Sequence, residues 1–261
     1  MKRLLRSIVG IIIAVYVIGC IVLYFVQDDL IFRPTPLDPN TSYRWGEEVY
    51  IPVSGDLNLH GLYQSQVDAE GAILYLHGNR GNTRWCQRQA ETFDGYGQNV
   101  LLLDYRGYGK SEGEVSNLEQ LHDDIIKAYK WLVNKNPGLP ITVAGYSLGS
   151  GMASYLAAHE EVEHLLLIAP YTSILDMKDQ ILPIIPDFLL KYPLSNEDYI
   201  DDISCPIAIF HGTEDEVIPY HHGVELAESA PHKIQLYTLQ GTSHRRAIFH
   251  SEIRAYLDKT F

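Results

Sequence analysis

The pentapeptide Gly145-Tyr146-Ser147-Leu148-Gly149 carries the clearest chemical meaning in the chain. An apolar run, Ile141–Ala144, precedes it, and a helix-like stretch, Ser150–Ala158, follows it. A serine on a tight turn between strand and helix stands at a strained backbone position, and glycines two residues to either side remove side chains that would clash. The turn lifts the Ser147 hydroxyl to a helix N-terminus, where free N–H groups and the helix dipole favour developing negative charge. G-x-S-x-G by itself is short, and a helix-start serine flanked by glycines has the same appearance. The strand before it and the helix after it are what make Ser147 a candidate nucleophile.

Such a serine needs a base, and the base needs an orienting acid. Two later segments follow strand-like runs. His211-Gly212-Thr213-Glu214-Asp215-Glu216-Val217-Ile218-Pro219 comes after Ile207–Phe210, and Gln240-Gly241-Thr242-Ser243-His244 after Ile234–Leu239. The acid segment offers Glu214, Asp215 and Glu216. Among the 11 histidines, only His244 lies after the last strand and before the last helix. His221, His222, His232 and His250 read as surface positions, His77 and His211 as structural residues at strand ends, His60 as part of a hairpin and His122 as part of a helix. An oxyanion produced by attack on a carbonyl requires two backbone donors. The residue after the nucleophile, Leu148, supplies one N–H. The glycine-containing loop His77-Gly78-Asn79-Arg80-Gly81-Asn82 supplies the other, assigned to Asn79.

These residues need a scaffold that brings strand ends together. Glu48–Val53 and Leu57–Tyr63 flank Ser54-Gly55-Asp56 as an antiparallel hairpin. Ala72–Leu76, Val100–Leu103, Ile141–Ala144, His164–Ile168, Ile207–Phe210 and Ile234–Leu239 are apolar without strict alternation, which suits parallel strands buried on both faces. Helical patterns separate them. In the clearest, Asn117–Val133, residues Leu118, Leu121, Ile125, Ala128 and Leu132 form one stripe. The alternation predicts a mostly parallel sheet with helices on both faces. Residues 171–205 break the rhythm with a Pro-interrupted apolar stretch, Ile181–Leu190, read as a small, partly helical lid over one end of the sheet.

The N-terminus has a different character. Ser7–Val26 is uncharged over twenty residues, enough to cross a hydrocarbon core of roughly 30 Å. Lys2, Arg3 and Arg6 precede it, and Asp28 and Asp29 follow it, so the N-terminus is expected in the cytoplasm and the remainder on the outer side: periplasm, lumen or cell exterior. Two other readings are a lipoprotein anchored at Cys20, since Val17-Ile18-Gly19-Cys20 resembles a lipobox, and an ordinary cleaved signal. The apolar run from Ile21 to Val26 argues for the uncleaved anchor. The expected organisation is a tip and transmembrane anchor at 1–27, an extended linker at 28–43 containing Pro34, Pro36 and Pro39, and a catalytic domain at 44–261.

The formal net charge of −13 over 261 residues argues against nucleic acid as a partner. Three cysteines without a close pair exclude a disulfide scaffold and a cysteine-rich zinc module.

Taken in order, Leu76–Asn82, Leu103-Asp104-Tyr105-Arg106-Gly107-Tyr108-Gly109-Lys110-Ser111, Gly145–Gly149, His211–Pro219 and Gly241–His244 resemble the α/β-hydrolase superfamily over essentially the whole chain. More closely the chain resembles the Bem46-like branch, with its membrane-anchored members of the ABHD13 and ABHD17 kind, which Leu30-Ile31-Phe32-Arg33-Pro34 after the anchor also resembles. The resemblance implies an α/β-hydrolase fold and a serine hydrolase acting on acyl esters or thioesters. It singles out Asp215 as the acid, completing Ser147, Asp215 and His244 in that order, and makes the Asp104–Ser111 loop with Arg106 a scaffold feature. Arg245 and Arg246 after His244 depart from the branch pattern, which bears on substrate preference. The expected reaction is acyl transfer to water without metal or organic cofactor, on a small or protein-borne lipophilic acyl substrate. A prolyl-aminopeptidase-like serine peptidase and a non-catalytic lipid- or protein-binding scaffold are the rival readings. Glu197, Asp198, Asp201 and Asp202 in the lid keep the peptidase open.

Overall fold

A computed structural model describes residues 1–261. Eight strands form one sheet: β1 (Glu47–Pro52), β2 (Asn58–Gln64), β3 (Gly71–Leu76), β4 (Gln98–Leu103), β5 (Ile141–Tyr146), β6 (His164–Ile168), β7 (Ile207–Gly212) and β8 (Ile234–Leu239). Their order across the sheet is β8-β7-β6-β5-β3-β4-β2-β1. The β1–β2 hairpin and the β2–β4 pair are antiparallel, and every other pairing is parallel. Strands β3, β4 and β5 are buried along their whole length, which is why their sequences are apolar without alternation.

Alternate residues of each strand feed two separate cores. Leu74, Leu101, Val143, Leu165 and Ile209 face α3 (Leu118–Lys135), α4 (Leu148–His159) and α7 (His221–Ser229). Ile73, Val100, Ala144, Leu166 and Phe210 face α2 (Thr83–Ala90) and α8 (Ser251–Thr260). Helix α3 starts where the Asn117 side chain accepts a hydrogen bond from the Gln120 N–H at 2.8 Å, and it buries Leu121, Ile125, Ala128 and Leu132 along the stripe seen in the sequence.

The Asp104–Ser111 loop is tied down by charge. Arg106 binds Asp124 of α3 with two hydrogen bonds, Nε to Oδ2 at 2.5 Å and Nη2 to Oδ1 at 2.9 Å, and both side chains are buried. Arg106→Leu would leave the Asp124 carboxylate buried without its partner. A loss of about 3–5 kcal/mol in unfolding free energy is expected, measurable by urea denaturation.

The segment after the N-terminal apolar stretch departs from expectation. Helix α1 runs from Lys2 to Ile31, through the first residues of the expected linker, and it is the one helix long and apolar enough to cross a membrane. The extended chain that follows is packed. Phe32 is buried edge-on against Tyr192 at 4.8 Å between ring centroids. Arg33–Pro34 pairs in parallel with Arg80–Gly81, and Pro36 bridges to Gly109. Three prolines suggest a free spacer only if no partner is available, and here two loops of the catalytic domain provide one. The lid region contains α5 (Ile174–Ile181), a 3-10 turn at Asp187–Leu189 and the short α6 (Glu197–Ile200), with Pro183 and Pro186 preventing a continuous helix.

Candidate active site

Ser147 terminates β5 and caps α4 with φ 53° and ψ −119°, a left-handed conformation that costs a non-glycine residue energy. The surroundings impose it. A Cβ on Gly145 would lie 2.6 Å from the Gly149 carbonyl oxygen, and one on Gly149 would lie 2.2 Å from the Leu76 carbonyl oxygen. The turn therefore presses against the end of β3, and only glycine fits on either side of the serine.

The Ser147 Oγ lies 3.0 Å from Nε2 of His244. Nδ1 of the same ring lies 2.7 Å from Oδ2 of Asp215. Of the three adjacent acidic residues, Asp215 is the one whose carboxylate faces the His244 ring, because its Oδ1 accepts the N–H groups of Val217 (2.9 Å) and Ile218 (2.7 Å), which turns it inward. Glu216 touches only the backbone N–H of His244, at 3.2 Å. Burial on its own would raise the Asp215 carboxyl. Hydrogen bonds from His211 and His244, with the Ile218 N–H, outweigh it and hold Asp215 well below the usual carboxylate range. An ionised Asp215 demands a proton on His244 Nδ1, so Nε2 presents a lone pair to the Ser147 hydroxyl. The Tyr146 hydroxyl donates to the His244 carbonyl at 3.1 Å and fixes the 3-10 turn His244–Phe249.

Leu148 and Asn79 line the same cavity as Ser147. The Leu148 N–H belongs to the first turn of α4, where backbone donors have no partner within the helix. Both peptides flanking Asn79 are held: the Gly78 carbonyl, in the peptide that carries the Asn79 N–H, lies 2.7 Å from His77 Nδ1, and the Asn79 carbonyl accepts the Arg33 N–H at 3.0 Å and the Tyr108 hydroxyl at 2.9 Å. Behind it, buried Asp104 accepts the Thr83 N–H at 2.8 Å and faces His60 and His77.

One histidine is located differently from the sequence reading. His222 is fully buried; its Nδ1 contacts the Thr172 hydroxyl at 2.8 Å, and burial pushes its pKa down to about 4. His211 is structural as read, yet its Nε2 also lies 3.5 Å from Asp215 Oδ2. The largest omission is the far wall of the cavity. The cavity, of about 420 Å³, is bounded by Ser147 and Leu148 at one end, by lid residues such as Ile181 and Leu189, and by Leu23 and Leu30 of α1. No carboxylate lines it. Leu30 and Leu189, 159 positions apart, carry no mutual periodicity, so only the folded chain brings these walls together.

A mostly parallel eight-stranded sheet with a serine on the turn after β5, a carboxylate after β7 and a histidine after β8 defines an α/β-hydrolase. A family model described as serine aminopeptidase, S33, matches residues 67–197, half of the chain, and the chain belongs to that family. The lysophosphatidylserine lipase ABHD12 of Danio rerio is 30% identical over 192 residues, covering 62% of this chain and 50% of that protein. The chain thus spans about half the length of the curated relatives it matches. Among solved structures, the Pyrococcus furiosus esterase Pf2001 superposes with a TM-score of 0.69 at 20% identity, over 87% of this chain and 94% of that one. Est1E of Butyrivibrio proteoclasticus, solved with ferulic acid bound, superposes with a TM-score of 0.66 at 21% identity, over 81% of this chain and 95% of that one. Both likenesses concern the fold.

Proposed function

We propose that the protein is a membrane-anchored serine hydrolase that cleaves carboxylic esters or thioesters of lipophilic acyl groups. The observation that carries this reading is the hydrogen-bonded Ser147–His244–Asp215 chain opening into an apolar cavity free of carboxylates. In the proposed reaction Ser147 Oγ attacks the acyl carbon while its proton passes to His244 Nε2. The N–H groups of Leu148 and Asn79 hold the oxyanion. The tetrahedral intermediate collapses, the bond to the alcohol or thiol breaks, and the leaving group takes the proton from Nε2. Water then attacks the acyl-enzyme, gives its proton to Nε2, and Ser147 is regenerated with release of the acid. Asp215 remains ionised and steadies the imidazolium throughout.

The name of the zebrafish relative supports a lipid ester as substrate. The anchor, the Leu30–Pro34 segment and the motif order support the Bem46-like branch within the superfamily. Helix α1, with basic residues before it and Asp28 and Asp29 after it, supports a cytoplasmic N-terminus and a catalytic domain on the outer side.

The family's description favours a second reading, an aminopeptidase. Such an enzyme requires acidic groups to grip the substrate's amine, and Glu197, Asp198, Asp201 and Asp202 lie outside the cavity lining. Hydrolysis of p-nitrophenyl esters from C2 to C16 by the detergent-solubilised full chain separates the two. The expected result is a kcat/KM that climbs with acyl length, because each buried methylene adds about 0.8 kcal/mol until the cavity is filled. A flat series would sink the lipophilic reading, and faster cleavage of amino-acyl p-nitroanilides than of any ester would establish the peptidase.

A further inference from the structure

Helix α1 leaves most of its apolar surface open, and the lid adds a second open apolar surface beside it. Ile181 and Ile184 are each 70% exposed and Phe188 is 83% exposed. Large apolar side chains so exposed and so close in space mark a surface that meets something other than water. The contacts between lid and helix give the depth of that surface. Near the polar end of α1, Gln27 donates from Nε2 to the Leu189 carbonyl at 2.9 Å and accepts the Lys191 N–H at 2.8 Å, while Lys191 pairs with Asp28. Far down the helix, the Tyr16 hydroxyl donates to the Ile184 carbonyl at 2.7 Å. Eleven residues separate Tyr16 from Gln27, roughly 16 Å along a helix rising 1.5 Å per residue. Tyr16 lies midway along the uncharged Ser7–Val26 stretch, so the lid tip descends alongside α1 well below the level of Asp28 and Asp29.

We propose that this lid is embedded in the bilayer leaflet surrounding the C-terminal half of α1, and that acyl chains enter the cavity sideways from that leaflet, between α1 and the lid. Non-helical backbone tolerates hydrocarbon only if its polar groups find partners within the protein. The lid meets most of that demand, with the N–H groups of Ile184, Asp187 and Phe188 left without a protein acceptor. Pro183 and Pro186 have no N–H. The N–H groups of Ile185, Leu189 and Leu190 bond within the lid, and that of Lys191 bonds to Gln27. The carbonyls of Ile184, Ile185 and Leu189 accept from Tyr16, Lys178 and Gln27. The charges are partly compensated: Lys178 contacts both Asp179 and Asp187, which leaves one negative charge that the lid must hold toward the headgroups, and Lys191 contacts Asp28. Lys191 and Asp28 mark the headgroup level, and Leu23, on the cavity wall, lies on the hydrocarbon side of it. The entry route rests on the hydrolase reading above; the embedding of the lid rests only on α1 as the membrane anchor of that reading.

Spin labels at Ile184→Cys and Phe188→Cys in the full chain, reconstituted into phosphatidylcholine vesicles, test the embedding. Asp56→Cys at the β1–β2 turn serves as the aqueous control, and the parent protein, whose three cysteines are buried, as the background. Labels at 184 and 188 are expected to relax with oxygen and to be shielded from a water-soluble nickel chelate, the reverse of position 56. Nickel access at 184 and 188 overturns the proposal. Shielding from both reagents, with dipolar broadening between copies, overturns it in favour of a second copy of the chain covering the lid. The route is tested by Ile184→Asp combined with Phe188→Asp, since neither residue lines the cavity. Turnover of a long-chain ester carried in vesicles is expected to fall about tenfold or more, because hydrocarbon expels a carboxylate, while hydrolysis of a soluble C4 ester and fluorophosphonate labelling of Ser147 stay unchanged. Equal loss on both substrates overturns the route. A parent protein inactive on every ester would remove the hydrolase reading and leave the spin-label result standing.

Discussion

Ser147→Ala is expected to lower kcat for p-nitrophenyl esters on the order of 10⁶-fold, with KM nearly unchanged. The serine oxygen is the atom that forms the new bond, and no other nucleophile lies within reach of His244 Nε2. The cysteines are no substitute, since burial pushes the Cys86 thiol up to about 12 and the Cys205 thiol up to about 11. Because the three residues act as one unit, Ser147→Ala combined with His244→Ala should cost no more than Ser147→Ala alone. Steady-state kinetics and the mass of the fluorophosphonate adduct check both statements. Retention of more than a tenth of the parent rate by Ser147→Ala would remove the serine from the chemistry.

Asp215→Asn is expected to reduce kcat on the order of 10⁴-fold with the fold intact by circular dichroism. The asparagine Oδ1 would still accept the Val217 and Ile218 N–H groups at the position Asp215 Oδ1 now holds. Its amide nitrogen would then face His244 Nδ1, which must become an acceptor and send its proton to Nε2. That tautomer points an N–H at Ser147 and cannot take the serine's proton. Glu216→Gln is the internal control. It weakens a single 3.2 Å contact to the His244 backbone that the glutamine oxygen can still accept, so the loss should stay below about tenfold, the scale of one neutral hydrogen bond. A larger loss in Glu216→Gln than in Asp215→Asn would reassign the acid.

The strands were legible because burial on both faces writes itself as an uninterrupted apolar run: Ile141–Ala144 and Ile207–Phe210 needed no partner to be recognised. Ser147 and His244 were legible because each follows such a run and precedes a helix. Asp215 was less so, since three acidic residues stand in a row and only the inward turn made by the Val217 and Ile218 N–H groups separates them. What stayed hidden depends on contacts across long sequence distances. Nothing in Leu23 or Leu30 announces a cavity wall, because an outward-facing leucine and a cavity-facing one look alike in a helix that is apolar all round. Nor does Arg33-Pro34 announce a strand, since two residues are too few for a pattern and the partner Arg80–Gly81 lies inside a loop. His222 was read as exposed because histidine two residues into a short helix carries no burial signal of its own.

The short pairing of Arg33–Pro34 with Arg80–Gly81 changes what it would mean to cut this protein loose. The Arg33 N–H braces the Asn79 carbonyl, the Thr35 carbonyl accepts from the side chain of Asn82, and the Leu37 N–H reaches the Gly109 carbonyl. A protease clipping after Leu37 would therefore free more than a globule: the departing stub would take with it the brace behind Asn79. The shed fragment should be folded but crippled, whereas a clip between Asp29 and Phe32, which leaves those bonds with the fragment, should release a competent one. Location and activity are thereby linked by a few residues of backbone, and surface shedding would act as an off switch whose setting depends on which peptide bond is broken.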